Sequence, residues 1–148
     1  MIYTPMTKKA MEIAYNAHHG QLDGSGTPYI FHPFHLAEQM EDEISCTVAL
    51  LHDVVEDTYV TEEDLEKEFP EEVVRAVMLL THLEGTDRQV YLENIRKDPV
   101  ARRVKIADVM HNCDETRCAG SDIPPERILH WRNKYKGTIE FLTEEENG

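Results

Sequence analysis

Residues 48–58, VALLHDVVEDT, bring one histidine and three carboxylates into a short apolar segment. In a helix, residues four apart share a face, so we expect His52 to lie over Glu56 and Asp53 over Asp57. The valines, leucines and alanine around them belong in a core, which would turn the polar side chains inward or into a cleft. Carboxylates in such a place need a cation, a proton or a hydrogen-bond donor. The alternative is a helix with an acidic, solvated end.

Side chains that can bind a metal occur in three separate segments of the chain. Divalent metals such as Mn²⁺, Fe²⁺ and Zn²⁺ take imidazole nitrogen and carboxylate oxygen together. The candidate ligands are His32, His52, Asp53 and Asp108. His52 and Asp53 are neighbours in the sequence, whereas His32 and Asp108 are far from them, so tertiary packing would have to assemble such a site. The spacing alone leaves a capping or core role open for each residue.

The hydrophobic pattern predicts helices as the elements that position these residues. Helical periodicity, proline starts and capping residues predict helices over about 5–17, 34–40, 45–57, 61–68, 71–83, 87–97, 99–117 and 125–142. The segment 20–31, GQLDGSGTPYIF, is a glycine-rich loop that leads to His32, just before the second helix. Trp131 and Tyr135 share a face of the last helix and are expected in the core; the alternative is that Tyr135 or Arg117 reaches the site. Histidines other than 32 and 52 are interpreted as structural.

No stretch alternates between polar and apolar residues as a strand does. We therefore predict an all-α fold, a compact bundle of seven or eight helices that forms a single domain over residues 1–148. The tail TEEENG is expected to fray.

The composition restricts the classes of function. The chain has 148 residues and a formal net charge of -14, which argues against nonspecific binding to nucleic acid or to an anionic membrane surface. A small anionic ligand in a local basic pocket is compatible with this charge. Most basic residues lie from Arg75 onward, so contacts to phosphate are expected from the second half. Three cysteines without a CxxC spacing and the lack of a long apolar run favour a cytoplasmic protein.

Three motifs resemble the signatures of the HD-domain metal-dependent phosphohydrolases. They are GxPYIxHP at 26–33, LLHDVVEDT at 50–58 and VKIADVMHN at 104–112. Their order and rough separation are most similar to the hydrolase domain of the RelA/SpoT type, which removes pyrophosphate from the 3′ position of (p)ppGpp. The resemblance spans about residues 10–115, and no segment resembling the synthetase domain of that family follows. It implies a helical fold of the HD-domain type and a phosphohydrolase that acts on a nucleotide.

The resemblance also implies a role for each matching residue. The implied ligands of the metal, typically Mn²⁺ with Fe²⁺, Zn²⁺ or Mg²⁺ as alternatives, are His32, His52, Asp53 and Asp108. Glu56 and Asp57 would orient and deprotonate the attacking water, and Asn112 would line the substrate site. These roles agree with the chemistry, because a metal acidifies water and offsets phosphoryl charge, and a nearby carboxylate can accept the proton.

Three basic residues near the third motif are further candidates for the substrate site. We add Lys105, Arg102 and Arg103 as phosphate contacts, because a polyanion needs local cations in so acidic a chain. Ordinary surface salt bridges are the alternative.

The loop after the first helix departs from the resemblance. The hydrolase branch carries basic residues just after the glutamine of this loop, one of which packs on guanine, whereas here Leu22, Asp23 and Gly24 follow Gln21. The catalytic residues therefore match and the residues for base recognition do not. The first hypothesis is therefore a hydrolase of (p)ppGpp, and the second is a hydrolase of another nucleotide or phosphorylated metabolite. The third hypothesis is a non-catalytic nucleotide-binding sensor module. The sequence does not give the oligomeric state.

Overall fold

The computed structural model of the protein describes residues 1–144, so the last four residues of the predicted frayed tail lie outside the described part. Regular structure in this part is helical, which confirms the predicted all-α fold. The helices are α1 (Pro5–Ala17), α2 (Phe31–Glu38), α3 (Glu43–Leu51), α4 (Val54–Asp57), α5 (Glu62–Glu66), α6 (Glu71–Leu80), α7 (Arg88–Lys97), α8 (Pro99–Asn112) and α9 (Pro125–Thr143). A 3₁₀ turn at Glu115–Cys118 precedes the last helix. None of these helices combines the length and the apolar character needed to cross a membrane.

The third helix, α3, lies at the centre of the core. Residues 45–51 of α3 are all buried, and the helix packs against α1, α2, α6 and α8. A helix with apolar or small residues on every side has no face for solvent, so neighbouring helices must cover it. The C-terminal end of α3 consequently brings His52 into the interior, where its side chain is 2% exposed.

The single helix predicted over residues 45–57 is broken at His52 and Asp53. Helix α3 ends at Leu51 and α4 begins at Val54, with Asp53 between them at φ -112° and ψ 3°. The side chain of His52 caps the last turn of α3 by donating from Nδ1 to the Ala49 carbonyl at 2.7 Å. Adjacent side chains on a continuous helix point about 100° apart. In a continuous helix the side chains of His52 and Asp53 would point in different directions. The break lets them face each other.

The second helix begins three residues earlier than predicted. Because α2 starts at Phe31, His32 lies within its first turn instead of preceding it. Pro33 fits there because the backbone N–H of an early helical position has no partner within the helix. The helix itself thus fixes the direction of His32, whose side chain is buried.

The helix predicted over residues 99–117 also ends early, at Asn112, and the 3₁₀ turn follows. The start of α8 is defined by a proline and by a capping side chain. Pro99 is the first helical residue, and Asp98 accepts hydrogen bonds from the backbone N–H groups of Val100 and Ala101 at 3.0 and 2.9 Å. This cap sets the position of α8 and hence of Asp108.

Replacing the cap of α8 should destabilise the fold. We expect Asp98→Ala to lower the free energy of unfolding by about 1–2 kcal/mol, because two backbone donors lose their acceptor. Asp98→Asn keeps a capping oxygen and should lose less than half as much. Urea denaturation measures both. Arg75, whose Nε lies 3.6 Å from Asp98, provides the control Arg75→Gln; equal losses in all three variants would assign the effect to the ion pair and contradict the cap.

Candidate metal centre

His52 has one satisfied ring nitrogen and one without a partner. Since Nδ1 donates to a backbone carbonyl, the neutral ring carries its lone pair on Nε2. Nε2 is buried and has no hydrogen-bond partner among residues 1–144. It lies 3.1 Å from Asp53 Oδ2 and 3.8 Å from Asp108 Oδ1. A buried lone pair facing two carboxylate oxygens requires a positive charge between them.

The pKa of His52 shows the same requirement. Burial opposes the charged imidazolium, but the carboxylates of Asp53 and Asp108 outweigh it and raise the pKa of His52 to about 9. A proton therefore occupies this position when no other cation does. Metal binding would displace that proton, so the affinity for metal should fall as the pH falls.

His32 reaches the same point from α2. Its Nε2 lies 2.8 Å from Asp108 Oδ1, and its Nδ1 lies 2.7 Å from Nδ1 of His111. Two ring nitrogens at that distance need one proton between them. Burial, with Arg117 and His32, lowers the pKa of His111 to about 4, so His111 is neutral at pH 7. When His111 accepts the Nδ1 proton of His32, Nε2 of His32 presents a lone pair to the centre, as in a metal-binding histidine.

His32, His52 and Asp53 form a cluster of three donors. One ligand atom from each lies within 4.8 Å of the others. Ligands bound to one ion at about 2.0–2.2 Å lie at most about 4.4 Å apart, which is close to the spacing of these atoms. Asp108 faces the two imidazoles through Oδ1. The donor types and spacing fit a divalent metal.

Donors from other parts of the chain hold both aspartates. The Tyr29 hydroxyl donates to Asp53 Oδ2. Lys105 Nζ donates to Asp108 Oδ2 at 3.0 Å, and Asn112 Nδ2 donates to Asp108 Oδ1 at 3.2 Å. Each carboxylate is therefore oriented before any ligand binds.

Both aspartates are ionised at neutral pH. Burial opposes ionisation, but His52 holds the pKa of Asp53 below its usual range, and Lys105 does the same for the pKa of Asp108. A carboxylate must be deprotonated to bind a metal. The centre meets this condition.

Glu56 and Asp57 lie beside the cluster on α4. With Asp53 they form a second group of acids within 4.8 Å of one another. Glu56 Oε1 accepts the backbone N–H of His82 at 2.6 Å, and the Asp57 carbonyl accepts Gln21 Nε2 at 2.9 Å. Burial and the neighbouring Asp53 raise the pKa of both Glu56 and Asp57. A carboxylate with a raised pKa is a stronger base near neutral pH.

The cluster opens into a cavity of about 760 Å³, a volume suited to a nucleotide. The charged end of the cavity is lined by Asp53, Glu56, Asp57, Lys105, Asp108 and Asn112. The apolar part of the lining, which we call the apolar end, consists of Ile123, Ile128, Trp131 and Tyr135. The cavity thus joins a metal centre to an apolar surface.

Arg102 and Arg103 do not reach this cavity. Arg102 Nε donates to a backbone carbonyl of α9 at 2.6 Å, and Arg103 pairs with Asp42 at 3.2 Å. They precede Asp108 by six and five residues, which turns them about 120–140° from it around α8. Lys105, three residues before Asp108, shares its face. Arg102 and Arg103 therefore do not line this cavity, and their contact with phosphate stays a prediction.

Comparison with known proteins identifies the family. The sequence profile of the HD domain matches residues 10–120, a range that contains every proposed ligand. The chain belongs to the HD-domain family. This confirms the resemblance drawn from the three motifs and agrees with the presence of a site where His32, His52 and Asp53 can hold a divalent metal.

Relatives of this HD domain include much longer proteins. The guanosine-3′,5′-bis(diphosphate) 3′-pyrophosphohydrolase of Haemophilus influenzae is 40% identical over 144 residues, which cover 87% of this chain and 20% of that protein. A probable GTP pyrophosphokinase of Mycobacterium leprae is 36% identical over 150 residues, which cover 93% of this chain and 18% of that protein. The chain therefore spans about a fifth of the length of these relatives.

A solved structure is similar over nearly the whole HD domain. It is that of a metazoan SpoT ortholog described as hydrolysing ppGpp, with 26% identity and a TM-score of 0.81. The match covers 97% of this chain and 88% of that chain. The shared fold therefore includes helices beyond the range of the family profile.

Several residues of the site were missed from the sequence. Tyr29 lies inside the first motif, and His111 lies three residues after Asp108, so the signals were adjacency to residues already selected. Trp131 and Tyr135 were expected in the core but line the cavity. Their helical spacing is the same in both settings, so no pattern in the sequence distinguished the two.

Mn²⁺ should stabilise the wild-type HD domain. We expect Tm to rise by roughly 5–10 °C at a metal concentration a hundredfold above Kd, because the ion binds only the folded state. His52→Gln and Asp108→Asn should remove most of this shift, whereas Glu56→Gln should retain it. Differential scanning calorimetry with and without Mn²⁺ measures the effect. An unchanged shift in His52→Gln would show that the ion binds elsewhere.

Proposed function

We propose that this HD domain is a metal-dependent phosphohydrolase that acts on a nucleotide, with (p)ppGpp as the leading substrate and the 3′-pyrophosphate as the group removed. One observation carries the proposal: imidazoles and carboxylates from α2, α8 and the break between α3 and α4 converge at the charged end of a nucleotide-sized cavity. The relative from Haemophilus influenzae and the metazoan structure, both named for ppGpp hydrolysis, support the choice of substrate.

The proposed metal ligands are His32, His52, Asp53 and Asp108. We propose Mn²⁺, with Fe²⁺, Zn²⁺ or Mg²⁺ as alternatives, because this mixture of nitrogen and oxygen donors suits a borderline metal. When bound, the ion supplies Lewis acidity, which stabilises charge on a phosphoryl oxygen and acidifies water.

Glu56 and Asp57 are the proposed general bases. Their raised pKa values equip them to accept the proton of the water that attacks phosphorus. Water adds to the phosphorus attached to the ribose 3′ oxygen, and the bond between that phosphorus and the 3′ oxygen breaks. The 3′ oxygen takes up a proton, which gives a hydroxyl and free pyrophosphate. The backbone N–H of His82 keeps the Glu56 carboxylate in place during proton transfer.

Lys105 and Asn112 support the same centre. Lys105 is partly buried, which opposes its charge, yet the Asp108 carboxylate raises its pKa, so it remains charged. Its ammonium group brings positive charge to the end of the cavity where phosphoryl charge develops. Asn112 fixes the orientation of Asp108 through its amide nitrogen.

A second candidate substrate is another nucleotide or phosphorylated metabolite. It is favoured by the loop after α1, where Asp23 forms an ion pair with Arg117 at 3.1 Å and a basic residue was expected. The chemistry at the metal centre would be unchanged. A non-catalytic sensor module is the remaining alternative.

Substrate screening should separate these hypotheses. With Mn²⁺, the purified protein should release pyrophosphate and GDP from ppGpp, detected by anion-exchange chromatography. Asp53→Ala should reduce this turnover by at least about 10³-fold, because it removes both a ligand and a neighbouring charge. Turnover of other nucleotides without ppGpp would favour the second candidate. Tight nucleotide binding with no turnover across the panel would favour the sensor module.

Glu56→Gln should lower kcat/KM by about 10²–10⁴-fold, since the amide cannot accept a proton. In the wild type, the rate should fall as the pH drops through the raised pKa of Glu56, above its ordinary value of about 4.5, because the protonated carboxyl is no longer a base. Steady-state kinetics across pH measure both effects. Glu84→Gln, an exposed acid in the loop after α6, is the control and should behave as wild type. A Glu56→Gln variant with wild-type rates would assign the base elsewhere.

We also propose that residues 1–148 form a single domain that acts in the cytoplasm on a small anionic substrate. The net charge of -14 disfavours nucleic acid as a partner, and the similar solved structure covers 97% of the chain.

A further inference from the structure

The apolar end of the cavity comes from residues outside the range matched by the HD-domain profile. That range ends at residue 120, whereas Ile128, Trp131 and Tyr135 lie on α9. All three are half-buried and line the cavity. Since they are neither packed in the core nor fully exposed to solvent, their apolar surface is available to a ligand.

Arg117 is held at this end by three acceptors. Nη1 donates to the His111 carbonyl at 3.0 Å and to Asn112 Oδ1 at 3.3 Å, and Nη2 pairs with Asp23 at 3.1 Å. A guanidinium carries five N–H donors in one plane. Within residues 1–144, two donors of Arg117 therefore remain for a ligand, on a group whose orientation is already set.

Trp131 reaches the loop that holds Arg117. A Cβ atom placed on Gly24 would lie 3.9 Å from Cη2 of Trp131, and Gly24 directly follows Asp23. Asp23 Oδ1 in turn accepts the backbone N–H groups of Ser25 and Thr27 at 2.9 and 3.0 Å. The loop thus brings the indole and the guanidinium to the same side of the cavity.

The charge at this end favours an uncharged ligand group over a second phosphate. Asp23 balances the charge of Arg117, and Glu115 balances that of Arg132 at 2.7 Å. Asp114 lines the same end and adds negative charge. A phosphate would meet no excess of positive charge here, whereas a flat heterocycle would meet an aromatic ring and two free N–H donors.

We propose that Trp131 and Arg117 form a nucleobase subsite. The base stacks on the indole, and the polar edge of the base accepts hydrogen bonds from the two remaining N–H groups of Arg117. The inference deepens the proposed function and rests on it, because the metal centre would hold the phosphate end of the same nucleotide. Guanine presents two acceptors, O6 and N7, on one edge, whereas adenine presents a donor beside N7. The subsite therefore prefers guanine. Asp23 is a positioning residue that orients Arg117.

Intrinsic fluorescence reports directly on this subsite, since Trp131 is the single tryptophan of the chain. Titration of the wild-type protein with GDP in the presence of Mn²⁺ should quench the emission saturably. ADP should require an at least about tenfold higher concentration than GDP for half-maximal quenching, because adenine has one acceptor fewer than guanine on this edge. Pyrophosphate alone should bind at the metal end and leave the emission unchanged.

Variants test the two side chains separately. Arg117→Lys keeps the charge but loses the planar fork, so GDP binding should weaken about tenfold and the preference over ADP should disappear. Trp131→Ala should weaken GDP binding by about 10–100-fold in isothermal titration calorimetry, and Trp131→Phe should recover part of the loss. For the nucleotide that the wild type hydrolyses, both Arg117→Lys and Trp131→Ala should raise KM and leave kcat within about threefold of the wild-type value. Arg75→Gln, from an ion pair outside the cavity, is the control.

The outcomes separate the subsite from the proposed function. GDP binding that is unchanged in Arg117→Lys and Trp131→Ala, or quenching by pyrophosphate equal to that by GDP, would overturn the nucleobase subsite even if hydrolysis is observed. Saturable, guanine-selective quenching in a wild-type protein that hydrolyses no nucleotide would support the subsite and overturn the proposed hydrolase.

Discussion

A positive charge between His52, Asp53 and Asp108 is the constraint on which the rest of the structure depends. Without such a charge, two largely buried carboxylates and an imidazole nitrogen that has no partner in the described part of the chain would be strongly destabilising. A proton meets the need in the metal-free protein, as the raised pKa of His52 shows. Three structural features bring the groups together: the break after α3, the early start of α2 and the cap of α8.

The proposed metal ligands and the proposed nucleobase subsite come mostly from different parts of the chain. The charged end is built from residues within the HD-domain match, whereas its apolar end belongs mainly to α9. Arg117 connects the two ends, since it contacts Asn112, which in turn contacts Asp108. Of the residues in the proposed nucleobase subsite, Trp131 lies outside the HD-domain match, whereas Arg117 and Asp23 lie within it. The proposed metal ligands can therefore match the family while the loop carrying Asp23 departs from its pattern.

Local sequence signals predicted much of the fold and of the metal centre. The proline and capping signals of α1 and α5 could be read without tertiary information. So could the three motifs, which selected the side chains that meet in the structure. The break at His52 was not predictable, because it depends on a side chain bonding back to Ala49 and on two carboxylates meeting in three dimensions. Arg102 and Arg103 were selected for their charge, but their positions on α8 direct them away from the face that carries Asp108.

Anomalous diffraction from crystals grown with Mn²⁺ would show where the ion binds. We predict one strong peak at about 2.0–2.3 Å from Nε2 of His32 and of His52 and from a carboxylate oxygen of Asp53. The same position should lie within coordination or hydrogen-bonding reach of Asp108. A well-diffracting crystal with no peak among these four side chains, or with Mn²⁺ bound only to the exposed acids of α4, would contradict it.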